Sequence, residues 1–572
     1  MLNLEQQQAV KMTDGPVRII AGAGTGKTHT LISRIAYLIE EKKADPRKIL
    51  ALTFTNKAAH ELNERLQKKD LPLVNAMTFH ALAARLLRQF WNPDFRILTS
   101  KEQEEILKKI IGERDDWKEI ITKIDQIRNK SEGRNDHPGM NEMIDKYHQR
   151  LADQNALDFT DLLTTLLRIW DENADILIKC QSLYNYLMVD EYQDVNALQI
   201  EIMRRLAEPH RNLCVVGDPD QTIYSWRGSQ AQSMADFENL YPDTVSITLT
   251  KNYRNPPALL KGAEKLISEN PGRIKKELQP VSAKTKGTTL WESDTDFHRS
   301  EILFHLLEKW IGSHSAMHLA DQLDVDREED CRKLSDIAIL YRTQGEGKRL
   351  YADLSKRGYP CQLSAPESFW QKKVIVDFLE GLDNLRQWSA IENDRKFSKW
   401  LREKITKFIE AEELTKAQIN RLSHLISYAM ALDHLPVNEA LIQFLDEAKL
   451  QQETDNLIQA DRISMLTLHA AKGLEFPIVL IIGLEEGNLP HKKGKDDPYW
   501  PTEERRLMYV GMTRATEELH LFRKRKKEDR NLEPSRFLEE IGSENMVPGA
   551  MPEVKIEQIR KREIKKAQMK LF

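Results

Sequence analysis

Val17-Arg-Ile-Ile-Ala21-Gly22-Ala23-Gly24-Thr25-Gly26-Lys27-Thr28-His29 is the stretch that decides the fold of this chain. A short apolar run, Val17 to Ile20, opens into glycine-rich sequence. A helical pattern of Leu31, Ile32, Ile35, Leu38 and Ile39 follows. The order is strand, phosphate-binding loop, helix. Glycines let backbone N–H groups close around phosphate oxygens at a helix N-terminus, Lys27 adds a point charge, and the Thr28 hydroxyl is a ligand for magnesium. Ala21 stands where the usual pattern begins with glycine. Taken alone, the octapeptide also fits a fortuitous glycine-rich turn.

A second element decides between the two. Tyr186-Leu-Met-Val189 reads as a fully buried strand ending in Asp190-Glu191. In that arrangement one carboxylate holds Mg2+ and the next polarises the attacking water. Together with the phosphate loop these acids define an ATPase, because hydrolysis needs charge neutralisation on the phosphates and a base for the water. Ile49-Leu-Ala-Leu-Thr53 and Leu213-Cys-Val-Val216 are further buried-strand runs. They predict a parallel sheet with ATP at its carboxyl edge.

At 572 residues the chain exceeds what one hydrophobic core serves, so several domains are expected. With 40% apolar and 30% charged residues and no apolar run of bilayer-spanning length, a membrane protein is excluded. The start, Met1-Leu-Asn-Leu-Glu-Gln6, lacks the basic flank and apolar segment of a signal peptide, and a cytoplasmic location is expected. Cys180, Cys214, Cys331 and Cys361 are far apart and form no CxxC pair, against a zinc ribbon, an iron–sulfur cluster or a disulfide framework. The net charge of -4 announces no polyanion partner, so any nucleic-acid surface must be local. Arg523-Lys-Arg-Lys-Lys527 and the run from Lys555 to Lys570 are the clearest basic stretches, each equally readable as a solvated face or tail.

From Asp190-Glu-Tyr-Gln-Asp194 onward the chain resembles the UvrD/Rep/PcrA group of superfamily-one DNA helicases. The segments that carry the resemblance run in order along nearly the whole chain. They are Leu2-Asn-Leu-Glu-Gln6, Thr53-Phe54-Thr-Asn56-Lys-Ala-Ala59, Thr78-Phe-His80, Ala156-Leu-Asp-Phe159 and Val216-Gly-Asp-Pro-Asp-Gln221-Thr-Ile-Tyr224-Ser-Trp226-Arg227-Gly228. Asn252-Tyr253-Arg254, Ile339-Leu-Tyr-Arg342-Thr343, Leu466-Thr-Leu-His469-Ala-Ala-Lys-Gly473-Leu-Glu475-Phe476 and Glu504-Arg-Arg-Leu-Met-Tyr509-Val-Gly-Met-Thr-Arg514 complete the set. The resemblance implies that Gln6 reads adenine, that Tyr253 stacks on it and that Glu475 also belongs to the nucleotide site. Gln221 would couple the γ-phosphate to DNA contacts, with Arg254 and Arg514 as arginine fingers in cis. At His29 the family pattern has arginine; a neutral imidazole stacks but gives up the cation–π term, so looser base selectivity is expected.

A motor on DNA needs sequence-indifferent grip, which base stacking on aromatics supplies at roughly 1–3 kcal/mol per base. Phe54, Tyr224 and Trp226 are the candidates, with Arg227 and Asn56 beside them. Phe54 and Tyr224 adjoin apolar strands and read equally as core aromatics. His80, Arg342 and His469 match family positions that contact or couple to DNA; a histidine near a strand is also often a hydrogen-bonded core residue.

Motif order implies an α/β fold of two RecA-like parallel-sheet domains, each interrupted by a mostly helical insertion. The expected first domain comprises residues 1–85 and 151–255 around an insertion at 86–150. The second comprises 256–378 and 462–545 around an insertion at 379–461, shorter than in typical relatives. A basic tail, 546–572, closes on Gln568-Met-Lys-Leu571-Phe572, which resembles the pentapeptide that docks bacterial repair proteins on the sliding clamp. A basic helix with apolar terminal residues is the plain alternative. The favoured function is DNA-stimulated ATP hydrolysis driving translocation on single-stranded DNA and unwinding at duplex junctions, 3′ to 5′ by resemblance, in DNA repair, replication or recombination. Its rivals are a translocase that strips proteins or powers a nuclease or defence complex, and an ATP-switched scaffold. The presence of Glu191, Gln221, Arg254 and Arg514 together disfavours the scaffold.

Overall fold

In the computed structural model the chain begins with helix α1 (Leu4–Lys11), capped by Asn3: its side chain accepts the Gln6 N–H while Gln6 reaches back to the Asn3 N–H. Strand β1 (Val17–Ala21) follows with every residue buried. Residues 2–112, 116–129, 138–224, 233–284, 286–311, 332–363, 369–386, 395–430, 432–433, 435–449, 461–492, 500–527, 530–552 and 556–557 are described. Among them no helix is long and apolar enough to cross a membrane. The described cysteines, Cys180, Cys214 and Cys361, are free and buried.

The first sheet adds β2 (Ile49–Thr53), β3 (Asn75–Thr78), β4 (Tyr186–Val189), β5 (Leu213–Gly217) and β6 (Val245–Leu249), in the order β3-β2-β4-β5-β1-β6. All neighbours are parallel. β1, β2 and β5, buried at every residue, are central and covered on both faces, whereas β6, at the edge, alternates between buried and partly exposed residues. Helix α2 (Lys27–Glu40) puts Leu31, Ile32, Ile35 and Leu38 on one face of the sheet, with Leu62 and Leu66 of α3 (Asn56–Gln67). Helix α4 (Phe79–Phe90) covers the other face. Because parallel strands all end at one edge, the loops after β1, β4 and β5 converge there; Ile20 pairs with Gly217 at the end of β5, and β4 ends at Val189, opposite Val215.

Helices α5 (Ser100–Ile111), α6 (Trp117–Arg128) and α7 (Pro138–Asp153) form the first insertion around a core of their own. A buried cluster ties it to the sheet domain. Arg128 donates to Asp158 at 2.6 and 2.7 Å and to Asp161 at 2.8 Å, and the Tyr147 hydroxyl donates to Asp158 at 2.7 Å. Asp158 also caps helix α8 (Phe159–Glu172).

The second sheet is also wholly parallel. It contains β7 (Thr288–Ser293), β8 (Ile337–Tyr341), β9 (Cys361–Leu363), β10 (Ile463–Thr467), β11 (Phe476–Ile482), β12 (Ala515–Lys524) and β13 (Met546–Pro548), in the order β9-β10-β8-β11-β12-β7-β13. Helix α9 (Pro257–Ser268) leaves the first sheet and buries Leu259, Ala263 and Leu266 in the core of the second, where Ile223 and Tyr224 of the first unit join them. The second insertion packs α10 (Lys373–Arg386), α11 (Phe397–Ala411), α12 (Lys416–Met430) and α13 (Val437–Lys449) on a separate core. It rests on the first sheet domain, where Arg88 of α4 forms a two-armed ion pair with Asp446 of α13, both arms 2.8 Å.

Packing shifts three expected boundaries. α4 continues past residue 86 to Phe90, because Leu86 and Leu87 still face the sheet core. Trp370, Val374 and Phe378 belong to the second insertion's core, ahead of residue 379. Strand β13 pairs with β7, so the segment expected to open the tail begins inside the sheet.

Candidate nucleotide and DNA site

The phosphate loop is shaped by two left-handed glycines, Gly24 (φ 68°) and Gly26 (φ 84°). A Cβ on Gly24 would meet the Arg254 Cβ at 2.5 Å, and one on Gly26 would meet the Gln6 amide nitrogen at 2.8 Å. The Thr25 hydroxyl closes the loop onto the Gly22 carbonyl at 2.9 Å, and Asn252 donates to the Ala23 carbonyl at 2.7 Å. Gly26 caps α2 with no side-chain bond, leaving the N-terminal N–H groups at Lys27, Thr28 and His29 for an anion. Gln6 donates to the Thr25 carbonyl at 3.0 Å. Tyr253 is exposed, and its hydroxyl accepts from Asn3 at 3.0 Å. Partial burial, then Lys69 and Arg65, lowers the His29 pKa and favours the neutral ring.

Lys27 lies 3.5 Å from Glu191. Burial and the neighbouring Glu191 raise the Asp190 pKa, against Lys27. Burial would raise Glu191 as well, but Lys27, Lys472 and the Gln193 amide outweigh it and hold its carboxyl below the ordinary range. Lys27 thus leaves the Asp190 pKa raised while Glu191 stays ionised. Glu191 holds a left-handed backbone (φ 53°), which for a non-glycine residue costs on the order of 1 kcal/mol and aims its side chain at the loop tips.

Groups from the second sheet complete the site. Arg514, fully buried, donates to the Gln221 side-chain oxygen at 3.2 Å and to the Val510 and Leu474 carbonyls at 2.9 and 3.2 Å. Burial and the nearby Arg254 lower its pKa to about 9, which leaves it charged at neutral pH. Arg254 pairs with the exposed Glu475 at 2.6 Å. Lys472 bonds Asp194 and donates to the Gln221 carbonyl at 2.7 Å. Lys472 stands inside a quoted family segment without having been singled out there. Gln193, Asp218 and Lys276 were also missed; Lys276 lies in no segment that the resemblance marks.

Of the DNA candidates, Phe54 comes from the end of β2 and His469 from the loop after β10, and Tyr224 lies between them. The Phe54 and Tyr224 rings stack at 5.3 Å with 22° between planes, and Tyr224 and His469 are 6.5 Å apart. Tyr224 is buried, with the Lys472 ammonium 5.2 Å from its ring centre. Tyr224 thus lies between the Phe54 ring and the second sheet's residues. Asn56 lies in the first turn of α3, capped by Thr55, and His80 in the first turn of α4, against Phe159 at 5.7 Å. Arg342 grips Glu504 with three bonds of 2.8–3.1 Å. Trp226, Arg227 and the tail residues Gln568, Leu571 and Phe572 lie outside the described residues.

Comparison with known proteins agrees with this arrangement. The UvrD/REP helicase N-terminal domain matches residues 2–242, and the UvrD-like helicase C-terminal domain matches 247–389 and 380–526. The chain is 31% identical over 649 positions to the ATP-dependent DNA helicase PcrA of Bacillus subtilis (strain 168), covering 94% of this chain and 85% of the relative. It is 29% identical over 644 positions to the ATP-dependent DNA helicase PcrA of Staphylococcus aureus (strain Mu50), covering 94% and 86%. Both alignments are longer than the 572-residue chain, so both carry gaps on its side.

Proposed function

Because the chain belongs to the UvrD/Rep helicase family over nearly its whole length, we propose that it is an ATP-dependent DNA helicase that moves 3′ to 5′ along single-stranded DNA and opens duplex junctions in repair, replication or recombination. The observation that carries the reading is the set of contacts across the two sheets. Arg514 reaches Gln221, Lys472 reaches Asp194 and the Gln221 carbonyl, and Arg254 pairs with Glu475. Any change at the γ-phosphate position is thereby transmitted between the sheets, which is what a motor requires.

In this reading the loop from Ala21 to Lys27 holds the phosphates, with adenine between Tyr253 and His29, read by Gln6; Glu475 lies at the nucleotide's edge. Thr28 and Asp190 would hold Mg2+. The fit rests on the Asp190 carboxyl, buried beside Glu191, whose pKa burial and that neighbour raise despite Lys27. The ion neutralises phosphate charge when bound. Glu191 polarises the water, and Arg254 and Arg514 stabilise charge on the transferring group. Phe54 supplies the stacking face, backed by Tyr224, and Asn56, His80, Arg342, His469, Trp226 and Arg227 line the strand's path. The same reading assigns the protein to the cytoplasm and makes the terminal Gln568, Leu571 and Phe572 a sliding-clamp tether. Removing Leu571 and Phe572 should abolish clamp pull-down and spare ATPase activity.

The test is ATP hydrolysis with and without single-stranded DNA, beside streptavidin displacement from either end of an oligonucleotide. Stimulation by DNA with faster displacement from the 5′ end supports the reading, since a 3′ to 5′ motor runs toward that end. Hydrolysis indifferent to DNA would remove it.

A further inference from the structure

Gln221 sits between two groups of opposite character. Its amide nitrogen donates to an Asp218 oxygen at 2.7 Å, and its amide oxygen accepts from Arg514 at 3.2 Å. A carboxylate only accepts and a guanidinium only donates, so this is the one orientation of the amide that satisfies both neighbours. Turned over, it would set oxygen against oxygen and N–H against N–H. The orientation therefore depends on Asp218 being ionised. Asp218 is fully buried, where a carboxylate keeps its charge only with a partner.

That partner is Lys276, from the segment that follows α9. It too is fully buried; its ammonium bonds Asp218 and lies 2.8 Å from Asp220. Arg273 pairs with Asp220 at 2.8 Å, so two cations meet two carboxylates and each acid has its own. We propose that Lys276 is a positioning residue for the hydrolytic site: it keeps Asp218 charged, and charged Asp218 fixes which end of the Gln221 amide faces Arg514. Without the ammonium, Asp218 takes up a proton and its O–H becomes a donor as well as an acceptor, so Asp218 no longer selects the amide N–H and only Arg514 still holds the Gln221 orientation. The inference rests on the assignment of Gln221 to the hydrolytic set.

Other charges also face Asp218. Lys27 of the phosphate loop and Arg514 favour its ionised form, and Glu191 opposes it. Tyr509, from helix Trp500–Met512, stays neutral because burial and both aspartates push its pKa up. Burial alone would raise Asp218, and Lys276 leads the groups that reverse this.

The experiment is a double-mutant cycle on the full chain, with Lys276→Met, Gln221→Ala and both together, read as DNA-stimulated kcat and KM for ATP between pH 6.5 and 9. Lys276→Met should lower kcat on the order of tenfold with KM nearly unchanged. It should recover as pH rises and Asp218 ionises again, and have little further effect in the Gln221→Ala background. An equal loss in both backgrounds, a loss that pH does not relieve, or no loss at all overturns the proposal. If Gln221→Ala itself leaves kcat intact, the Gln221 assignment fails and the inference with it; if Gln221→Ala is impaired and Lys276→Met is not, only the inference fails. Should Lys276→Met fail to fold, Lys276→Gln, which keeps a neutral donor to Asp218, is read by the same criteria.

Discussion

In the proposed reading Glu191 is the residue at which ATP binding and turnover separate. Lys27 and Lys472 hold it ionised, the state a base for the attacking water needs. Glu191→Gln removes the base and keeps the shape, so ATP binding should persist while turnover falls by ~10²–10⁴; substantial residual hydrolysis would show that another group does this work. His29 gives a second test at the same scale. Replacing the neutral imidazole with arginine adds a cation–π contact worth about 0.5–1 kcal/mol, so His29→Arg should raise kcat/KM for ATP by roughly two- to fivefold. An unchanged kcat/KM would mean that the side chain at this position does not touch the base. Most of these residues were legible because phosphate chemistry dictates both type and spacing. Lys276 was not, because a buried lysine 58 residues from its carboxylate leaves no local pattern.

Among elements, the strands were the most legible. The runs at Val17, Ile49, Tyr186 and Leu213 are mostly apolar, Arg18 being the charged exception, and each is a strand of the first sheet. The helical insertions were legible as helices but not in their limits, since whether Leu86 or Trp370 faces one core or another depends on contacts distant in sequence. Helix α13 offers a measurable consequence. Burial raises the pKa of Glu447 to about 7, against the Gln443 amide and with the help of Asp446. A folded-state value above the unfolded one means that the native state holds the extra proton between about pH 4.5 and 7, so stability falls as pH rises through that window. Glu447→Gln removes the penalty. Its melting temperature should exceed that of the wild type at pH 8 and match it near pH 4.5; a difference that does not vary with pH would contradict the assignment.

At the scale of the molecule, two sheets share a seam in which Gln221, Arg514, Lys472 and Tyr224 belong to both. The second insertion is pinned to the first sheet domain by Arg88 and Asp446. Ordered motifs revealed that there are two sheets, but neither this pin nor the shared core, since both are made by residues that no single segment brings together. In the proposed reading this seam turns hydrolysis into movement, and movement is the central claim. Its most direct measurement is strand displacement of short duplexes carrying a 3′ or a 5′ single-stranded tail, with ATP, comparing the wild type with Glu191→Gln. The account predicts that the wild type unwinds the 3′-tailed duplex well ahead of the 5′-tailed one and that Glu191→Gln unwinds neither. Displacement that proceeds equally with Glu191→Gln, or no displacement of either duplex by the wild type, would contradict it.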